Sequence, residues 1–214
     1  MRTSSLQETV REDGFRIITK RRPHTKRVHL AVIARAGSAY DAHYGLRGLF
    51  HFFEHTMFSG TARRTAFEIA EFGDRYLRTH NAYTDQLITN YYGEAAWFRF
   101  NELCDLLFDM YLNSIFPKPE LQLEKSAIAS EIRRWLDNDY NQTYHALCGA
   151  LWRENPLRNA GQAGLLADIK SVTRDLLLKT KGLWFIPANT VLIGTGRIDH
   201  DELIGKAFRT FPLS

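Results

Sequence analysis

The stretch GLFHFFEHTMFSGT, residues 48–61, sets His51, Glu54 and His55 among Leu49, Phe50, Phe52, Phe53, Met57 and Phe58. So many large apolar side chains have to be buried. Any fold of this chain must therefore satisfy two imidazoles and a carboxylate at the edge of its core. Gly37, Gly45 and Gly48 punctuate the approach, and the segment reads as a helix. At about 100° per residue, His51 and His55 stand about 40° apart, one turn above the other, with Glu54 on the neighbouring ridge. Either these groups are incidental, one or other being a hydrogen-bonded core histidine, or they serve a metal ion.

The rest of the chain supplies a scaffold. GFRIITKRR and RVHLAVIAR read as two strands joined by RPHTK, the second with Val28, Leu30 and Val32 on one face. A short helix follows the motif, with Thr65 as its N-cap and Gly73 as its stop. THNAYTDQLITNYYGE has the β-branched and aromatic content of a strand pair. Helices are predicted over 95–113, 119–136 (opened by Pro119) and 140–153, then a buried strand in NTVLIGTG and a closing helix over 199–210. Strands and helices mix without strict alternation. The class is therefore α+β, a largely antiparallel sheet with helices packed on it, and residues 1–214 are expected to form one domain. No apolar run approaches a membrane span, and the first residues lack the apolar core of a secretory signal, so the expected location is cytoplasmic, without a membrane partner. Cys104 and Cys148 are too far apart for a C-x-x-C pair and read as reduced, semi-buried thiols.

Imidazoles at i and i+4 suit zinc, and a catalytic zinc needs one more protein ligand and an open position. H-x-x-E-H is the inverse of the H-E-x-x-H metallopeptidase pattern. The helix PELQLEKSAIASEIRRWLD offers Glu124 and Glu131, seven residues and about 20° apart, beside an apolar side of Leu121, Ile128 and Ile132. Carboxylates bordering a buried face need a metal or a basic partner. Lys125, Arg133 and Arg134 are the basic partners at hand, so surface ion pairs are the competing account.

HFFEH, followed by NAYT and EKSAIASEI, resembles the pitrilysin family of zinc metallopeptidases, which includes insulysin and the mitochondrial processing peptidase. GSAYD is similar to that family's G-S-x-x-E, with Asp41 for Glu. FIPANTVLIGTGRID is similar to its Y-x-P-x-N-M-x-L-x-x-x-G-D-I-D, with Phe185, Thr190 and Arg197 as departures. GDRYLRTHNAYT departs from the usual Gly-Gly lead-in, and ENPLRN stands where relatives often have His-Pro-Tyr-Gly. The resemblance implies His51, His55 and Glu131 as Zn2+ ligands, Glu131 lying 76 residues after His55. It implies Glu54 as the general base and Glu124 as a supporting carboxylate that does not bind the metal. It further implies a peptide substrate added as a strand along HNAYT, with Asn81 and Ala82 flanking the metal and Tyr83 next to them. From the residues alone, Asn81–Thr84 reads as an ordinary edge strand and Tyr83, with Phe50 and Phe53, as core or pocket wall.

The expected activity is zinc-dependent endopeptidase action on peptides or unfolded polypeptides. The alternative is a non-catalytic or regulatory zinc-binding subunit of a two-chain peptidase. Because the family pairs two homologous halves and this sequence matches one, the resemblance implies a homodimer or heterodimer with a second pitrilysin-type domain. The basic run KRRPHTKR, residues 20–27, raises the possibility of a nucleic-acid or acidic-membrane patch. No Phe, Tyr or Trp interrupts it to stack on bases, so it reads as a solvated hairpin turn, and no nucleic-acid partner is expected.

Overall fold

The computed structural model describes residues 6–159 and 164–213. Strands β1 (Leu6–Val10), β2 (Arg16–Arg21) and β3 (Arg27–Ala34) lead through a 3-10 turn, Ser38–Tyr44, into helices α1 (Leu49–Thr56) and α2 (Ala66–Tyr76). Strands β4 (Thr79–Thr84) and β5 (Thr89–Ala96) form a hairpin. Helices α3 (Phe100–Asn113), α4 (Lys118–Leu136), α5 (Asp139–Leu151), α6 (Leu166–Ser171) and α7 (Arg174–Trp184) follow, then β6 (Thr190–Gly196) and α8 (His200–Thr210).

The six strands form one sheet in the order β1-β2-β6-β3-β5-β4. Only the β2–β6 pairing is parallel, so the sheet is largely antiparallel, as expected. Alternation along the strands gives the sheet two faces. Ile17, Val28, Leu30, Val32, Tyr91 and Leu192 point to one of them and are buried under α1, α3 and α8. Leu49, Phe50, Phe52 and Phe53 of α1 are fully buried in that core, and Phe53 stacks on Phe185 at 4.0 Å. At roughly 1.5–3 kcal/mol for each large apolar side chain, this burial fixes α1 on the sheet far more firmly than an eight-residue helix could hold itself.

Several boundaries differ from the sequence reading. Thr65 does cap α2, in a reciprocal arrangement with Glu68. However, Gly73 lies inside that helix; a side chain there would sit 2.1 Å from Cε1 of His80, so its role is close approach to β4. The helix predicted from residue 95 starts at Phe100, because Ala95 and Ala96 still pair with Val28 and Arg27. The helix α5 ends at Leu151. The strand β1 and helices α6 and α7 were not anticipated. Cys104 and Cys148 are free and buried.

Candidate metal centre

The site is built by α1 and α4 lying side by side. Gly48, left-handed at φ 88°, turns the chain into α1. The buried carboxylate of Asp41 accepts the Gly48 and Phe50 N–H groups at 2.6 and 3.1 Å, capping the helix from the preceding turn. Because Leu49, Phe50, Phe52 and Phe53 claim the core side, His51, Glu54 and His55 fall on the remaining arc, all three half-buried. On α4, Leu121, Ile128 and Ile132 are buried, and Glu124 and Glu131 flank them facing α1.

Four side chains converge there. The imidazole rings of His51 and His55 lie 4.9 Å apart at 88°. His51 Nε2 is 3.4 Å from Glu131 Oε1, and His55 Nε2 is 3.5 Å from Glu131 Oε2. One donor atom from each of His51, His55 and Glu131 lies within 4.8 Å of the other two. Two ligand atoms each about 2.1 Å from a tetrahedral ion would be about 3.4 Å apart, so the donor set and its spacing fit zinc. Nδ1 of His55 meets Glu124 Oε2 at 3.2 Å. With the proton on Nδ1, donated to Glu124, Nε2 would keep its lone pair for a metal.

The electrostatics select for a cation. Burial lowers the pKa of His55, but the hydrogen bond to Glu124 and the charges of Glu54, Glu124 and Glu131 outweigh it and leave the imidazole above its ordinary value. The basic partners considered from sequence are not used. Among the described residues, no lysine or arginine forms an ion pair with Glu54, Glu124 or Glu131, and Lys125 Nζ instead donates to the Lys170 carbonyl at 2.8 Å. Beneath the centre, the hydroxyl of Tyr91 is buried without a hydrogen-bond partner among the described residues. Burial, then the charge of Glu54, pushes its pKa well up.

The edge strand β4 runs beside α1. Thr84 Oγ1 reaches the Phe50 carbonyl at 3.4 Å and Phe58 lies 6.2 Å from His80, so His80, Ala82 and Thr84 face α1. Ala82 is buried there, whereas Asn81 and Tyr83 project to the opposite, open face, Tyr83 meeting Tyr92 at 6.3 Å. The Asp85 N–H bonds to the Ile88 carbonyl, and the antiparallel alternation counted from that pair turns the backbone of Ala82 to the free edge. Its N–H is held by Asn81 Oδ1 at 2.9 Å.

Other supports were invisible in sequence. The loop launching α4 contains Phe116 at φ 52°. Lys181 Nζ and Arg174 Nε, both from α7, donate to the carbonyls of Ser114 and Ile115 in that loop. Asp168 of α6 accepts the Arg47 N–H at 2.9 Å, just before α1. No short-range pattern signals such contacts between distant elements. Asp41 alone had a signal, its place in GSAYD.

The profile of the family described as "Insulinase (Peptidase family M16)" matches residues 16–162. The chain belongs to that family. An "uncharacterized zinc protease" of Rickettsia bellii is 32% identical over 200 residues, 94% of this chain and 48% of the relative. The mitochondrial-processing peptidase subunit beta of Caenorhabditis elegans is 26% identical, over 95% of this chain and 44% of its own length. A solved M16 inactive domain from Pseudomonas fluorescens shares the fold at a TM-score of 0.89 and 14% identity, over 98% of this chain and 52% of that one. The chain thus spans about half the length of each of these three proteins. Since a domain described as inactive has the same fold, activity has to be argued from the centre itself.

Proposed function

We propose that this M16 chain carries the zinc-binding catalytic centre of an endopeptidase. The observation behind this reading is the meeting of His51, His55 and Glu131 donors, with Glu124 holding the far nitrogen of His55. His51, His55 and Glu131 would hold the ion. Such an ion, when bound, supplies polarisation of the scissile carbonyl and a water of lowered pKa. Glu54 remains on the open arc of α1 with no cation paired to it among the described residues, so its carboxylate is available to take the water's proton and return it to the departing amine. The substrate backbone would add along the β4 edge, and the Asn81 side chain would yield the Ala82 N–H to it. Asn81 and Tyr83 would then act from the edge and open face, with small Ala82 nearest the metal.

Glu54→Gln is expected to keep one zinc per chain by metal mass spectrometry while peptide hydrolysis falls by about 10²–10⁴-fold, the usual contribution of a general base. Loss of zinc from that variant, to the extent seen for His51→Ala, would show that Glu54 is a ligand and not the base.

A second reading, a subunit that is inactive until joined to another M16 domain, is favoured by the half-length match. It predicts that specific activity rises with protein concentration or on adding a second M16 domain, with light scattering reporting the assembly.

A further inference from the structure

The basic run KRRPHTKR lies at the end of β3 opposite the one nearest α1, and the fold gives it company that the linear sequence does not show. Its turn, closed by the Thr25 N–H on the Arg22 carbonyl, is anchored at the end of the sheet. The Arg22 N–H bonds to the Gly196 carbonyl at 2.6 Å, and the Lys26 carbonyl accepts the Trp97 N–H at 3.0 Å. The ends of β2, β5 and β6 and the start of β3 therefore meet there. Lys20, Arg21, Arg22, Lys26, Arg27 and Arg197 are all exposed at this end. Glu94 is shared by Arg27 and Arg78. The next carboxylates along the chain, Asp199, Asp201 and Glu202, sit in the cap and first turn of α8 and leave the cations in excess.

The aromatics missing from the run are delivered by the turn after β5. Trp97 is 40% and Phe98 64% exposed, their rings 6.1 Å apart. Leu6, 67% exposed, stands opposite Lys20 in the β1–β2 register. The guanidinium of Arg197 lies 3.9 Å from the Trp97 ring centroid, and that of Arg99 5.7 Å from Phe98. Each ring already has an arginine over one face. The two rings meet edge to face as a single pair and do not form a row of platforms on which successive bases could stack, so the arrangement suits single-stranded nucleic acid poorly. It suits a surface that receives cations in a headgroup layer and apolar rings just beneath it.

We propose that this end of the sheet docks the protein peripherally on an anionic lipid bilayer. Among the described residues no helix is long and apolar enough to cross a membrane, and none is needed for binding of this kind.

The test is co-sedimentation of the 214-residue chain with phosphatidylcholine vesicles, with or without one-third phosphatidylserine, in low and high salt. Binding is expected only to the phosphatidylserine vesicles, and salt should weaken it. Each cation removed, as in Lys20→Gln and Arg22→Gln, should lower partitioning roughly fivefold. Phe98→Ser should weaken binding while leaving its salt dependence in place. Circular dichroism identifies variants that fold normally, and the exposed Lys20 and Arg22 changes keep the test open if a Phe98 change misfolds. Equal binding to both vesicle types, no binding at low salt, or preference for a single-stranded oligonucleotide over vesicles would each overturn the proposal.

Discussion

Two clusters of charge on this molecule are each built on a pair of carboxylates from one helix, and they behave differently. In one, Arg64 reaches from the loop before α2 to Asp105 and Asp109 of α3. Asp109, whose side chain is fully buried, also accepts from Thr61 and Asn113. Arg63 supplies the remaining Asp105 oxygen, so every carboxylate oxygen there has a fixed donor, and the cluster clamps the loop before α2 onto α3. In the other, Glu54, Glu124 and Glu131 face two imidazoles and no lysine or arginine among the described residues. Among the described residues only the two imidazoles answer its negative charge. The comparison teaches that the mark of a metal centre is the carboxylates that lack a permanent cation, more than the carboxylates themselves.

Breaking the saturated cluster should have the largest effect on the fold. Asp109→Ala leaves Arg64 only the half-exposed Asp105 and takes the buried acceptor from Thr61 and Asn113, and is expected to cost roughly 3 kcal/mol of stability by urea unfolding, with zinc stoichiometry unchanged. A variant that lost zinc together with stability would erase the distinction between the two clusters.

Breaking the unsaturated cluster should do the reverse. Glu131→Gln is expected to abolish tight zinc binding in a competitive chelator titration, and Glu124→Gln to weaken it by only about 10–100-fold. If Glu124→Gln proves the more damaging, the two carboxylates exchange roles. Zinc itself should raise stability, by about 2.7 kcal/mol at a free concentration 100 times its Kd, and a chelator should remove that increment.

The smallest effect sharpens the comparison, because Asp41 is a third kind of carboxylate, buried and bonded only to backbone. Burial raises its pKa to about 7 despite the Gly48 and Phe50 N–H groups, with Asp168 adding to the rise. A raised folded pKa contributes stability below the ordinary value of 3.8 that is lost as pH rises through about 7. The stability advantage of the wild type over Asp41→Asn, followed by urea midpoints, should therefore be greatest near pH 4 and shrink toward pH 7.

The parts that were legible in sequence are those governed by local pattern. HFFEH declared its own helix because four large apolar residues leave one arc for three polar ones, and Glu124 and Glu131 declared a shared face through their heptad spacing. Thr65 announced a cap by its place just before the helical pattern, whereas its partner Glu68 came from the structure. What stayed hidden depends on distant partners. The polar strand LQETV exists because β2 offers it an edge, and α7 matters through two cations holding carbonyls some 60 residues away. Trp97 joined the basic turn only because β5 ends where β3 begins.

The place of β6 has a kinetic consequence. Although β2 and β3 are neighbours in the chain, they do not pair; β6, made of residues 190–196, lies between them and bonds to both. The sheet is therefore assembled across long loops, a topology that folds slowly. On the ribosome, β2 and β3 emerge long before the strand that joins them and must wait with open hydrogen-bonding edges. A nascent chain stalled before residue 190 would hold the whole of α1 and yet have no completed sheet to seat it on, so chaperone demand during synthesis should be set by the arrival of one late strand.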